Sequence, residues 1–264
     1  MILLGCGLAA GLLIGITGAV LYYRKVVEHV RETETRLREA ERLAHLGRLA
    51  GGLAHEIKNP LSTLSINLQL LEEDLRSDGE GSTQRYGGRL EVLRREVRRL
   101  EEVLEDFLRY ARPHQLELEL QNVNDVIREI IDFITPEATR AGIRMSAGLA
   151  DDLKPTMLDA GRLKQAFLNI IINAKQAMPD GGEIIIRSAN VDGGVRIGFI
   201  DTGVGISRDD LDRIWDIYYS SKKTGTGLGL PTARRIVEEH GGSVTVHSDV
   251  GKGTCFTVFL PEKE

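Results

Sequence analysis

Cysteine is scarce in this sequence: there are two in 264 residues, Cys6 in an apolar run and Cys255 in a late strand-like pattern. Two thiols so far apart build neither a disulfide framework nor a metal cluster, which points to a reducing compartment or to plain packing residues. An excess of charge of one sign is also lacking. The formal net charge is −5, and Lys and Arg are interleaved with Asp and Glu instead of forming a block, so no general attraction to nucleic acid is expected. Internal repeats and long low-complexity tracts are absent. The apolar share of 42% and charged share of 28% are ordinary for a folded chain and leave room for one large domain or two small ones with extras.

One long run has no charge at all. Residues 2–23 are wholly uncharged and as a helix would span about 33 Å, enough to cross a hydrocarbon core of about 30 Å. The run lacks a basic start and a small-residue cleavage site, so residues 1–23 read as a membrane anchor and not as a signal peptide. Arg24 and Lys25 follow at once, which puts the remainder in the cytoplasm by the positive-inside rule, with Tyr22 and Tyr23 at the interface. Gly7, Gly11, Gly15 and Ala19 form a ridge that permits close helix approach in lipid, or they reflect the general frequency of glycine in membrane helices. From Val26 to Ala54, apolar and small residues alternate in steps of four and three. This is a coiled-coil rhythm with a weak core, and residues 24–40 read as a helical connector.

The connector leads without a break into the stretch that organises the chain. Apolar residues at 43, 46, 50, 53, 57, 61, 64, 68, 71 and 75 form one stripe of a helix advancing about 100° per residue. His55 lies roughly opposite the stripe, Glu56 is its neighbour, and Asn59, at i+4, shares its face. Pro60 is inside the same helix, where it removes a backbone hydrogen bond at a cost of about 3 kcal/mol and is expected to kink it. A turn by composition follows at 77–83, then a second amphipathic helix through Leu90, Leu93, Val97, Leu100, Leu104, Phe107 and Ala111, stopped by Pro113. A hairpin alone cannot bury both stripes. Two copies make a four-helix bundle, so residues 41–112 are expected to dimerise.

Beyond residue 115 the pattern becomes mixed α/β. Strands are expected at 116–120, 143–147, 156–158, 183–189, 195–200, 243–248 and 254–260. Helices are expected at 124–141 with Asn124 as N-cap, from Asp159 to Met178, near 207–215, and ending at His240-Gly241. Strands and helices do not alternate regularly, so residues 116–264 read as a layered α/β sandwich and not as a doubly wound sheet.

Three motifs in this region carry chemistry. Asn169 and Asn173 fall one turn apart on one helix face, where neutral amide oxygens can ligate Mg²⁺ or can simply be satisfied core amides. Asp201-Thr-Gly203-Val-Gly205 puts a carboxylate at a strand end before two glycines, which permit close backbone approach to a ligand but also suit a plain turn. Thr224-Gly225-Thr226-Gly227-Leu228-Gly229-Leu230 precedes a helix with Pro231 near its first turn. Free N–H groups at such a start cradle phosphate oxygens. No Lys follows the last glycine as in a phosphate loop, and no strand directly precedes the motif as in a dinucleotide fingerprint.

His55-Glu-Ile-Lys-Asn-Pro-Leu61 resembles the phosphoacceptor motif of bacterial sensor histidine kinases, the nitrogen-regulatory type in particular. Leu168–Ala174 resembles their asparagine box, and the glycine motifs follow in the family's order. Trp215-Asp-Ile-Tyr-Tyr-Ser-Ser-Lys222 is similar to their aromatic box, with Trp215, Ile217 and the serines departing from the usual residues. The resemblance covers roughly 43–112 and 116–260. It implies a homodimeric bacterial kinase with a four-helix bundle and an ATP domain, which the uncharged run and Arg24-Lys25 would hold on the inner membrane by one spanning helix with the ATP domain in the cytoplasm. ATP and Mg²⁺ would be its cofactors, and a response-regulator receiver domain its partner. It further implies that His55 is phosphorylated, that Asp201 accepts the adenine amino group, and that Asn59 supports phosphatase action on the regulator. Lys222 or Lys223 would contact the terminal phosphate. Two rival readings are an ATP-hydrolysing member of the same superfamily, which would need a Glu where Asn169 stands, and a non-catalytic ATP-binding membrane scaffold.

Overall fold

The computed structural model describes Tyr23, Lys25 and residues 51–54, 57–75, 82–111, 116–220, 222 and 226–262. The expected anchor and connector lie almost wholly outside these residues, and so do His55, Glu56, Lys223, Thr224 and Gly225. Among the described residues no helix is long and apolar enough to cross a membrane. The chain divides into two compact units, Met1–Gly51 and Gly52–Glu264. The second unit holds the helical hairpin and the α/β part.

The hairpin comes first. Helix α1 is described over 51–54 and 57–75 and runs through Pro60, which is buried. Helix α2 spans Ser82–Ala111, so Ser82 and Thr83, expected in the turn, belong to the helix; hydroxyl residues favour helix starts as well as turns. A part-buried ion pair, Arg89 Nε to Asp74 Oδ2 at 2.6 Å, and a bond from Tyr86 Oη to Asp74 O at 2.8 Å pin the two helices near their connection. Val103 is buried, whereas Leu61, Leu68 and Leu75 on α1 and Leu90, Val97 and Leu104 on α2 are 45–60% exposed. Each row repeats every seven residues. One chain leaves both rows in water.

The α/β part begins with β1 (Glu119–Gln121) and α3 (Val123–Arg140), followed by β2 (Ile143–Gly148), β3 (Thr156–Leu158) and α4 (Ala160–Gln176). Strands β4 (Gly182–Val191) and β5 (Gly194–Asp201) come next, then α5 (Arg208–Leu211), a 3₁₀ turn at Arg213–Trp215, α6 (Gly229–Glu239), β6 (Ser243–Asp249) and β7 (Gly253–Pro261). The five-stranded sheet has the order β2-β4-β5-β7-β6, with β2 and β4 parallel and the other pairs antiparallel. Strands β1 and β3 form a separate antiparallel pair.

Period-two burial explains the layering. Ile184 and Ile186 of β4, Val195, Ile197 and Phe199 of β5, and Phe256, Val258 and Leu260 of β7 are buried. They join Leu163, Phe167, Ile170 and Ile171 of α4 and Ala233, Ile236 and Val237 of α6 in one core. Phe167 meets Phe199 with ring centroids 5.1 Å apart. Burying each such large side chain contributes about 1.5–3 kcal/mol relative to leaving it in water.

Two caps set α3 and α4 in place. Asp159 caps α4 as expected, its side chain accepting from Arg162 N. The cap of α3 is Asn122, not Asn124: Asn122 has extended φ −86° and ψ 117° and accepts from Asn124 N. Asn124 is instead fully buried, its Nδ2 donating to Ala150 O and its Oδ1 accepting from Ser188 Oγ. A cap must precede the free N–H groups it serves, and Asn124 already lies inside the first turn. At the far side, His240 Nε2 accepts from Asp159 N at 3.0 Å while Nδ1 lies 2.7 Å from Ile236 O. These contacts fix a neutral ring with its proton on Nδ1, which ties the end of α6 to the start of α4.

Candidate functional site

The end of β5, the start of β7, α4 and α6 leave a cavity of about 640 Å³. Asn169, Ile172, Asn173 and Gln176 of α4 form one wall, and Val204, Gly205 and Ile206 beyond β5 form the second. Thr226–Leu230 at the start of α6 form the third. Tyr219, Ser220 and Lys222 line the cavity from the segment between α5 and α6, and Glu105 of α2 borders it as well. Glu105 belongs to a helix face whose sequence shows only periodicity, so no signal marked it.

Asp201 stands one bond behind this wall. It is 3% exposed, and its Oδ1 accepts from Gly203 N at 2.9 Å and from Thr254 N at 3.2 Å; Thr254 lines the cavity. Burial pushes the carboxyl above the usual carboxylate range, opposed by those two N–H donors and by the Lys222 charge. Gly203 permits the turn sterically, because a Cβ there would come within 2.7 Å of Ala177 O.

The glycine loop is held as closely. Gly227 has φ 66°, and a Cβ on it would lie 2.5 Å from Tyr218 C, so the loop accepts only glycine at this point. Tyr218 N donates to Gly227 O at 3.1 Å, and Tyr218 itself has φ 66°. A left-handed non-glycine residue is costly and persists where its surroundings over-determine it. Leu228, the N-cap of α6, makes no side-chain cap bond, and the first turn, Gly229 to Pro231, faces the cavity. The N–H groups of Gly229 and Leu230, Pro231 having none, and the positive end of the helix dipole are therefore directed to an anion there.

The aromatic segment is anchored by contacts not legible in its sequence. Trp215 packs edge-on against Phe256, with centroids 6.1 Å apart, and under the Arg234 guanidinium at 5.3 Å. Tyr219 Oη donates to Asp210 Oδ1, Ser207 Oγ donates to Asp210 Oδ2 at 2.7 Å, and Arg213 stacks 4.1 Å over the Tyr219 ring. The Tyr219 hydroxyl, then Ser207 and the Arg213 charge, hold the Asp210 carboxyl below its usual range.

The two asparagines take different partners. Asn169 Nδ2 donates to Gly229 O at 3.1 Å, joining α4 to the glycine loop. Asn173 Oδ1 accepts from Lys222 Nζ at 3.0 Å. The structure therefore brings Asn169, Asn173, Lys222, Thr226, Gly227, Leu228 and Gly229 to one cavity, with Gly205 on its rim and Asp201 behind it. Asn59 is exposed on α1. Among the described residues no group of three His, Cys, Asp or Glu side chains is placed to hold a metal ion.

Comparison with known proteins accounts for both parts. Residues 45–116 match the His Kinase A (phospho-acceptor) domain, and residues 158–264 match the histidine kinase-, DNA gyrase B-, and HSP90-like ATPase family. Sporulation kinase E of Bacillus subtilis (strain 168) is 36% identical over 241 residues, which is 91% of this chain and 32% of that protein. Sensor histidine kinase ZraS of Escherichia coli (strain K12) is 34% identical over 240 residues, 91% of this chain and 50% of that protein. The chain thus spans between 32% and 50% of the length of these two relatives. Among solved structures, histidine kinase ThkA in complex with response regulator protein TrrA matches with a TM-score of 0.69 and 25% identity over 84% of this chain and 64% of that one. The two domain matches, in this order along one chain, and relatives that are themselves sensor kinases make this chain a member of the two-component sensor histidine kinases.

Proposed function

We propose that the chain is the kinase core of a membrane-anchored, dimeric sensor that phosphorylates its own His55 from Mg-ATP and passes the phosphoryl group to an aspartate of a separate response regulator. The observation that carries this reading is the cavity into which the uncapped start of α6, the asparagine face of α4 and Lys222 all open. Its size suits a nucleotide and its donors suit phosphates. The carboxylate of Asp201, with Oδ1 already taken, offers Oδ2 to an adenine amino group. Asn169 uses its amide nitrogen on Gly229, which leaves Oδ1, with Asn173 Oδ1, as the metal-ligating atoms. Bound Mg²⁺ would neutralise phosphate charge in the transfer.

In the transfer itself, an imidazole nitrogen of His55 attacks the γ-phosphorus in line. The N–P bond forms as the bond to the β,γ-bridging oxygen breaks, and ADP leaves. Glu56 holds the proton on the other ring nitrogen and steadies the imidazolium that develops. The outward leucine rows of α1 and α2 support a second copy as partner, because apolar rows so exposed need a cover. Asn59, one turn beyond His55, would orient a water against a phosphorylated regulator. The anchor over residues 1–23, crossing the bacterial inner membrane once with the catalytic part in the cytoplasm, rests on the uncharged run and on Arg24-Lys25. The likeness to the nitrogen-regulatory type rests on the motif around His55.

Incubation with γ-labelled ATP and a purified receiver domain tests the reading. The chain is expected to take up acid-labile, base-stable label that then chases to the receiver. Steady release of inorganic phosphate with no labelled chain would favour the ATP-hydrolysing alternative, and nucleotide binding without either product would favour the scaffold. A second measurement bears on the metal. Asn173→Ala is expected to weaken Mg-ATP at least about tenfold while changing metal-free nucleotide little, because only a metal ligand is lost. Equal losses with and without Mg²⁺ would remove Asn173 from the metal site.

A further inference from the structure

Lys222, in the aromatic segment, reaches across the cavity to α4. Its Nζ lies 3.0 Å from Asn173 Oδ1, 3.1 Å from Asn173 O and 3.4 Å from Gln176 Oε1. An ammonium has three donors and no acceptor, so three oxygens are the full complement it can use. All three come from the last turn of α4, where Asn173 and Gln176, three residues apart, share a face. The compensating charge is that of Asp201, which acts on Lys222 through space. A positive group thus sits among neutral oxygens at the place where the asparagine face would hold a metal. Asn169, the expected second ligand, donates its amide nitrogen to Gly229 O, so only its Oδ1 is left to face a metal.

We propose that the Lys222 ammonium is the resident cation of the nucleotide-free site, seated on Asn173 and Gln176, and that a divalent metal must displace it from those oxygens. The proposal rests on the reading of Asn173 as a metal ligand and adds to it a further donor, Gln176, and a built-in competitor, Lys222. The physical reason is distance and charge. Mg²⁺ takes oxygen ligands at about 2.0–2.1 Å, closer than an ammonium approaches its acceptors. A monovalent and a divalent cation sharing one oxygen would also repel each other inside a partly desolvated cavity. Once displaced, the same ammonium is free to swing toward the phosphates that arrive with the metal. The exchange makes metal binding without nucleotide weak, and makes metal and nucleotide bind together.

The test uses the full chain and manganous ion alone as the probe, with free Mn²⁺ followed by its paramagnetic resonance signal. Lys222→Met is expected to lower the Kd for Mn²⁺ without nucleotide at least about tenfold. Lys222→Arg, which keeps a cation, should stay near the parent value. Tighter binding cannot arise from misfolding, so the gain is informative by itself. Adding Gln176→Leu to Lys222→Met should cancel the gain. If the gain survives Gln176→Leu, it reflects only the altered net charge and the seat is refuted. An unchanged Kd in Lys222→Met, with Asn173→Ala still selective for Mg-ATP, overturns the displacement alone. Loss of that selectivity in Asn173→Ala overturns the metal site and the displacement together.

Discussion

His55→Gln is expected to bind ATP as the parent chain does and to incorporate no acid-labile phosphate. The expectation starts from the helix wheel. His55 stands opposite the apolar stripe that runs from Leu43 to Leu75, so its removal leaves the packed faces of α1 untouched. Glutamine is close to histidine in size and is a good helix former, so α1 loses little by the exchange. What it lacks is a nitrogen with a free lone pair and a titratable partner nitrogen, the two things phosphoryl acceptance needs. The cavity for ATP is built almost entirely from the α/β part, so nucleotide affinity should be unaffected. Phosphate on nitrogen is lost in acid and stable in base, whereas phosphate on serine or threonine behaves the other way. Full labelling of His55→Gln with the acid-labile signature would require another acceptor and would overturn the assignment.

Asp201→Asn should weaken ATP and ADP together, with or without Mg²⁺, by roughly 10- to 100-fold. This is the range for losing a hydrogen bond to a charged acceptor, about 1.5–3 kcal/mol. An amide oxygen can still accept from Gly203 N and Thr254 N, so the turn beyond β5 should persist. Folding should not suffer. Burial pushes the Asp201 carboxyl above its ordinary value, which means the folded chain holds that proton more tightly than the unfolded chain. Its contribution to stability is therefore full below the unfolded pKa and is lost as pH rises through the raised folded value. At neutral pH the charged form is the one the fold tolerates less well. Thermal melting at pH 7 to 8 should accordingly show Asp201→Asn at least as stable as the parent. If Asp201 holds adenine as proposed, binding has the opposite dependence, because that role needs the ionised carboxylate: parent affinity should fall as pH drops through the raised value, and that step should vanish in Asp201→Asn. A lower Tm with proportionate loss of binding would make Asp201 a folding residue.

The α/β part shows how far pattern alone reaches. Periodicity in β4, β5 and β7 marks every second residue for the core, and the strand positions expected from it agree with the structure to within about two residues, as element boundaries allow. Asp159 is legible as a cap because Asp before an apolar-periodic run has a local meaning. Asn124 is not, because Asn122 has the same chemistry two residues earlier. Only the buried partners Ser188 and Ala150, distant in sequence, decide which of the two turns inward.

Legible in the sequence were the order of parts and the candidate groups: a histidine opposite an apolar stripe, two amides on one helix face, an acid at a strand end and a glycine run before a helix. These are local or periodic features, and local sterics and hydrogen bonding dictate them. Tertiary structure alone decided which of those groups meet. Lys222 meets Asn173, 49 positions away, and Gln176 because its segment crosses the cavity to the last turn of α4. Tyr218 takes a left-handed backbone conformation because Gly227 has no Cβ to prevent the approach. Asp201 is buried because β7 closes over the end of β5, where Thr254 donates to it. The contacts of Lys222 with Asn173 and of Thr254 with Asp201 join residues 49 and 53 positions apart, so no window of sequence contains both partners, and only the packed sheet and helices bring them together.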